Sequence, residues 1–156
     1  MRQGINTKCP KRDDNYNTPP EAFDLIFSYI PRDKKVWCPF YNNGDLSIPK
    51  DIDVIHENKD FFAYVPEKWD YIVDNPPYSI KKQIFERCLS LGKPFALLVP
   101  FDSLERQYVS SMLKHNDFTV IIPHTRYKFN EMSFTPPFKC VFICVGFNLG
   151  RQIIFE

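Results

Sequence analysis

Asn75-Pro76-Pro77-Tyr78 is the stretch of this chain richest in chemical possibility. Two prolines in succession fix the backbone and remove two N–H donors. The carbonyl of Pro76 is left as a fixed acceptor, and the side-chain oxygen of Asn75 is a second acceptor close by. Two convergent acceptors suit an NH2 group. Holding both of its hydrogens aims the nitrogen lone pair away from them and discourages conjugation with a ring. Tyr78 supplies a flat face on which a planar, extruded group can stack. The loop therefore suits activation of an exocyclic or amide nitrogen as a nucleophile. Asn and Pro also favour ordinary turns, so the elements that position the tetrapeptide decide between the two readings.

Those elements are legible. The apolar residues 71–73 read as a strand that runs straight into Asp74 and the tetrapeptide. Residues 80–91 follow with helical spacing, and Gly92 is the expected stop. Residues 95–99 form a continuous apolar run between Pro94 and Pro100, the pattern of a strand buried on both faces. Upstream, Thr18 reads as an N-cap, Pro19 as the first helical residue and Glu21 as the partner in a capping box. Short strands are expected at 35–38 and 53–56, a helix at 104–114, and late strands at 118–122 and 140–147. Strands alternating with helices imply an α/β fold: a mostly parallel sheet with a late antiparallel hairpin and helices on both faces. Ligands in such sheets bind at the carboxyl ends of the strands, where the loops 39–45 and 74–79 belong. Residues 1–15 read as an N-terminal arm and 16–156 as a single domain, with no separate target-recognition domain.

Charge and composition narrow the classes. Twenty Lys and Arg against nineteen Asp and Glu give a net charge of +1, which excludes nucleic-acid binding by bulk charge but not by a local basic face. Lys81, Lys82, Arg126, Lys128 and Lys139 are the candidates for such a face, as phosphate contacts. Five cysteines without a CxxC pair do not make a disulfide framework, so a reducing, cytoplasmic compartment is expected. Cys140 and Cys144 lie on one strand, roughly 13 Å apart, too far for one zinc; no metal is expected. Cys38 reads as packing, Asp70 as structural, and His56, His115 and His124 as surface or satisfied histidines. No apolar run is long enough to span a bilayer.

Asp74-Asn75-Pro76-Pro77-Tyr78-Ser79 resembles the (D/N)PPY motif of S-adenosylmethionine-dependent amino-methyltransferases, with the phage-type N6-adenine DNA methyltransferases the nearest match. The likeness runs through roughly residues 15–147 in the family's order. Tyr16-Asn17-Thr18-Pro19-Pro20-Glu21 is similar to the segment that contacts the methionine part of the cofactor. Val36 to Gly44, containing Pro39, Phe40 and Asn42, is similar to the first motif, with Cys38 standing where the family carries an acid. Lys59-Asp60-Phe61-Phe62 is similar to the segment whose Asp meets the cofactor adenine. Residues 126–129 and 134–142 resemble the family's late loop and hairpin.

The resemblance implies a Rossmann-like methyltransferase sheet and S-adenosyl-L-methionine as cofactor. It implies cofactor contacts from Tyr16, Thr18, Pro39, Phe40, Asn42, Gly44, Asp60, Phe61 and Asn75. The ribose acid is Glu57 or its competitor Asp45. Asn75, Pro76, Pro77 and Tyr78 carry the chemistry; Tyr78, Ser79, Lys81, Lys82, Arg126 and Lys128 meet the substrate. The expected reaction is methyl transfer to adenine N6 in DNA, in the host cytoplasm if phage-encoded. RNA or a protein glutamine amide remains open as the acceptor. So does a non-catalytic subunit that binds nucleic acid. A short chain also leaves target recognition to a second copy or a partner subunit.

Overall fold

In the computed structural model, residues 17–41, 46–129 and 138–156 are described. The expectations for the arm 1–15 and for Tyr16, Asn42, Gly44 and Asp45 lie outside them. Seven strands form one sheet: β1 (Lys35–Trp37), β2 (Asp53–Ile55), β3 (Tyr71–Asp74), β4 (Phe95–Pro100), β5 (Phe118–Ile122), β6 (Cys140–Val145) and β7 (Ile153–Phe155). Their order across the sheet is β2-β1-β3-β4-β6-β5-β7. All neighbours run parallel except β6, which is antiparallel to β4 and β5. The expected α/β sheet with a late antiparallel pair is therefore observed.

Side chains alternate across this sheet with period two, and each set is covered by different helices. Trp37, Ile72, Phe95, Leu97 and Val99 pack with Ile84, Phe85 and Cys88 of α2 (Lys81–Leu91) and with Val109, Met112 and Leu113 of α3 (Gln107–Lys114). Val36, Val73, Ala96 and Leu98 pack on the other face with Ala22, Phe23, Ile26 and Phe27 of α1 (Pro20–Phe27). Every residue of β4 is buried, as its unbroken apolar run requires. Gly92 closes α2 with φ 70°, the left-handed cap that favours glycine.

Three expectations are corrected. The N-cap of α1 is Pro19, not Thr18, and no side chain caps it; Pro20 takes the first helical position, and the capping box with Glu21 does not form. The helices expected at 80–91 and 104–114 are each preceded by a separate 3-10 turn, at Tyr78–Ile80 and Phe101–Glu105. Strand β7 was not expected. It pairs parallel to β5, and its residues Ile153 and Phe155 are exposed, so it lacks the buried alternation that marks the others.

The strand order reverses direction at β1. The chain leaves β1 for β2 on one side, then returns to β3 on the other. The carboxyl ends of β1 and β3 thus diverge at a topological switch point, the place where open α/β sheets bind ligands.

Candidate functional site

The acceptor loop follows β3 at that switch point. Asp74 and Asn75 are 2% and 4% exposed, and Pro76 and Pro77 are also buried. Tyr78 is half-buried and begins the 3-10 turn that leads into α2. Its hydroxyl lies 3.4 Å from the Cys140 thiol of β6, and its ring lies edge-on to Phe138 at 6.4 Å. Lys81 Nζ lies 5.7 Å from the Tyr78 ring centroid and donates to the buried Ser103 hydroxyl at 3.2 Å. The tyrosine is thus held by a thiol, an aromatic edge and a cation. Ser79 and Lys82 are exposed beside it.

Asp74 was not singled out from the sequence, yet it organises this edge. One carboxylate oxygen accepts the Phe40 N–H at 2.7 Å, and the other accepts the Asn75 N–H at 2.8 Å. Burial pushes its pKa up to about 7, against the opposing pull of those two hydrogen bonds. The sequence placed it at the end of an apolar strand and at the head of the motif, without a role of its own. Cys38, where β1 ends, is wholly buried; burial first, and then the Asp74 charge, raises its thiol pKa well above the usual range. It is packing, as expected, and stays protonated.

The loops after β1 and β2 are joined in turn. Cys38 N–H donates to the Ile55 carbonyl at 2.9 Å, which extends the β1–β2 ladder by one residue. His56 Nδ1 lies 2.9 Å from the Cys38 carbonyl, and its ring stacks on Tyr41 at 5.1 Å. A carbonyl can only accept, so Nδ1 donates, and in the neutral ring Nε2 is then an acceptor. That Nε2 is buried and has no hydrogen-bond partner among the described residues. The expectation of a satisfied histidine thus holds at one ring nitrogen only.

The other proposed cofactor residues are placed unevenly. Pro39 and Phe40 are buried in the β1 loop. Phe61 is 1% exposed, packed between Trp37 at 5.3 Å and Phe40 at 5.2 Å, so it braces the loop from beneath. Phe62 keeps the exposed ring. Asp60 Oδ1 accepts the Phe62 N–H at 2.9 Å and so caps its own turn. Glu57 is exposed, and Tyr64 donates to it at 3.1 Å. It lines an open groove with Lys35, Ile55 and Lys68 and does not join the Asp74 bonds. Thr18 is half-buried just before α1.

Residues 126–129 alternate: Arg126 and Lys128 are exposed, whereas Tyr127 and Phe129 are buried. The buried pair enters the core on the α1 face, and Phe129 lies 6.5 Å from Phe138, which in turn meets Tyr78. An aromatic chain therefore connects the two exposed cations to the acceptor loop. Asp70 is structural as expected; its carboxylate accepts the Lys35 N–H at 2.8 Å where β1 begins. Among the described residues, no cluster of His, Cys, Asp or Glu could hold a metal ion, and no helix is long and apolar enough to cross a membrane.

No family model matches the chain, and no curated protein matches it by sequence. Among solved structures it is similar to a modification subunit of a putative type I restriction enzyme from Vibrio vulnificus YJ016. That likeness has 11% identity and a TM-score of 0.46, and covers 86% of this chain and 44% of the other. The chain spans less than half the length of that subunit. At this identity and score the likeness describes two chain traces and says nothing about chemistry.

Proposed function

We propose that this chain is an S-adenosylmethionine-dependent methyltransferase acting on the exocyclic N6 amine of adenine in DNA. The observation that carries the reading is the Asp74 carboxylate. It fastens the β1 loop, the expected cofactor side, to the Asn75-Pro76-Pro77-Tyr78 loop, the expected acceptor side, at the switch point of the sheet. The mostly parallel sheet with its late antiparallel strand is also the arrangement that the sequence resemblance implies.

The residues present fit such a cofactor. The buried Nε2 of His56 has no hydrogen-bond partner among the described residues, and the ring stacks on the exposed Tyr41, so in its neutral form it offers an acceptor beside an aromatic face. Thr18, Phe40, Asp60 and Asn75 would hold the cofactor, with Pro39 and Phe61 supporting them and Glu57 as the ribose acid; Tyr16, Asn42 and Gly44 complete the set. Bound S-adenosylmethionine would supply a methyl group on a sulfonium, from which a neutral thioether is already a good leaving group. The protein's contribution is then positioning and hydrogen bonding. Asn75 Oδ1 and the Pro76 carbonyl accept the two N6 hydrogens, and Tyr78 stacks on the extruded base. The bond to the methyl carbon would form at N6 as the sulfur–methyl bond breaks and the neutral thioether leaves; both acceptors would bind the nitrogen more tightly as it becomes positive, and its extra proton would pass to water. Arg126, Lys128, Lys81 and Lys82 meet phosphates, and Ser79 lies at the rim.

Incubation with labelled S-adenosylmethionine and separate DNA, RNA and protein pools tests this. Label in DNA is expected. Label in RNA or on glutamine would move the acceptor while keeping the chemistry, and absence of label at saturating cofactor would favour a non-catalytic binding subunit.

A further inference from the structure

We infer that Asp74 is the positioning residue that makes the two loops of the site one unit, holding the backbone of Phe40 with one carboxylate oxygen and that of Asn75 with the other. The inference deepens the reading above and rests on it for the meaning of the two loops. The bonds themselves stand independently, at 2.7 and 2.8 Å.

Three features set this carboxylate apart from a strand-end acid. First, it acts where the sheet stops. The β1–β3 register ends at Trp37 opposite Ile72, and the β3–β4 register ends at Asp74 opposite Leu97. Phe40 lies three residues beyond the end of β1, and the carboxylate bonds its N–H across to β3. Second, prolines hem in both donors. Pro39 precedes Phe40, and Pro76 and Pro77 follow Asn75, so the residue before the one donor and the two residues after the other have no N–H to offer. Third, only an ionised carboxylate accepts fully from both donors. A neutral acid or an amide presents one good acceptor oxygen and adds a donor of its own.

The surroundings make the charge costly to keep. Asp74 is 2% exposed. The residue opposite it on β4 is apolar Leu97, and the ionisable group beside it from the chain just past β1 is the Cys38 thiol, which does not neutralise it. Burial accordingly lifts the carboxyl toward neutrality. A proton on Asp74 converts one acceptor into a donor and releases one of the two loops. Coupling between the loops is therefore strongest above neutrality and weakens as pH falls.

The test follows the backbone amides of Phe40 and Asn75 by nuclear magnetic resonance on the whole chain, between about pH 5 and about pH 9. Both amides should shift with one common midpoint near about 7. Asp74→Asn should abolish that shared transition. In parallel, calorimetry with S-adenosylhomocysteine should show affinity falling roughly tenfold in the wild type across the transition, about the value of one charged hydrogen bond, and nearly constant in Asp74→Asn. Separate midpoints for the two amides, no titration of either, or an unchanged pH dependence in the variant would overturn the inference. If Asp74→Asn does not fold, the two wild-type amides still decide it. A shared midpoint without binding of the nucleoside at any pH would uphold the coupling and sink the methyltransferase reading instead.

Discussion

The loop after β3 and the loop after β2 approach the same edge of the sheet, yet they are built oppositely. From Asp74 to Pro77 every residue is buried, two of the four are prolines, and Asp74 bonds the backbone on both sides. From His56 to Phe62 the chain surfaces. Glu57, Asn58, Lys59 and Phe62 are exposed, Asp60 caps its own turn, and Phe61 alone is sunk in the core. The contrast matches two tasks. An acceptor that must meet an amine in one orientation gains from rigidity fixed before the target arrives. A surface that grips a larger molecule by its periphery can tolerate exposed side chains held by single contacts.

Breaking the rigid side should have the largest effect. Asn75→Ala should lower turnover by at least about a hundredfold, the scale for losing a preorganised hydrogen bond in a transition state. Affinity for the cofactor should change far less, because that acceptor matters most as the target nitrogen becomes positive. Equal losses in both quantities would mean that the two loops are not divided as described.

The same loop should leave a signature in stability. The folded pKa of Asp74 is raised to about 7 from an ordinary 3.8. The native state therefore holds its proton more firmly than the unfolded chain does between those values. Stability from this group is fully present below the lower value and is lost as pH rises through about 7. Relative to Asp74→Asn, the wild type should gain up to about 1.4 kcal/mol per pH unit as pH falls below 7. Urea unfolding of both proteins at several pH values reads the slope. A difference that ran the other way would mean that the carboxylate is stabilised as the anion.

Tyr78→Ala should weaken capture of the target base by about 1–3 kcal/mol, the value of lost stacking. Tyr78→Phe sharpens the point. It keeps the ring and loses the hydroxyl with its 3.4 Å contact to the Cys140 thiol, so binding of a target oligonucleotide should stay close to wild type. On the exposed side, Asp60→Ala should weaken cofactor binding by about 1–3 kcal/mol if a buried hydrogen bond to the adenine amine is lost. The smallest change is expected at the periphery. Replacing Arg126 and Lys128 with Ala should flatten the salt dependence of DNA binding by about two phosphate contacts and leave cofactor affinity alone.

Much of the rigid loop was legible because its cause is local. An apolar strand followed by Asn-Pro-Pro-Tyr fixes its own backbone, and the alternating or continuous apolar runs revealed β3, β4 and β6. Asp74 was visible as the first residue of the motif but had no legible role, because its partner Phe40 lies 34 residues away. An acid at a strand end looks like any solvated acid until the fold brings that amide beside it. Strand β7 was missed for the converse reason: its exposed Ile153 and Phe155 carry no burial pattern. Thr18 offered a sound local capping signal, but a proline at each of the next two positions shifted the helix start by one residue. Glu57 rested on resemblance alone, and the structure leaves it with Tyr64 instead of the Asp74 bonds.

The central claim is that the Asn75-Pro76-Pro77-Tyr78 loop presents an adenine amine for methylation. Nucleoside analysis of DNA incubated with the protein and labelled S-adenosylmethionine tests it most directly, with Asn75→Ala run alongside. The account predicts that the label is recovered as N6-methyldeoxyadenosine with the wild type and is reduced at least about a hundredfold with the variant. Label on another base, or equal label from both proteins, would contradict it.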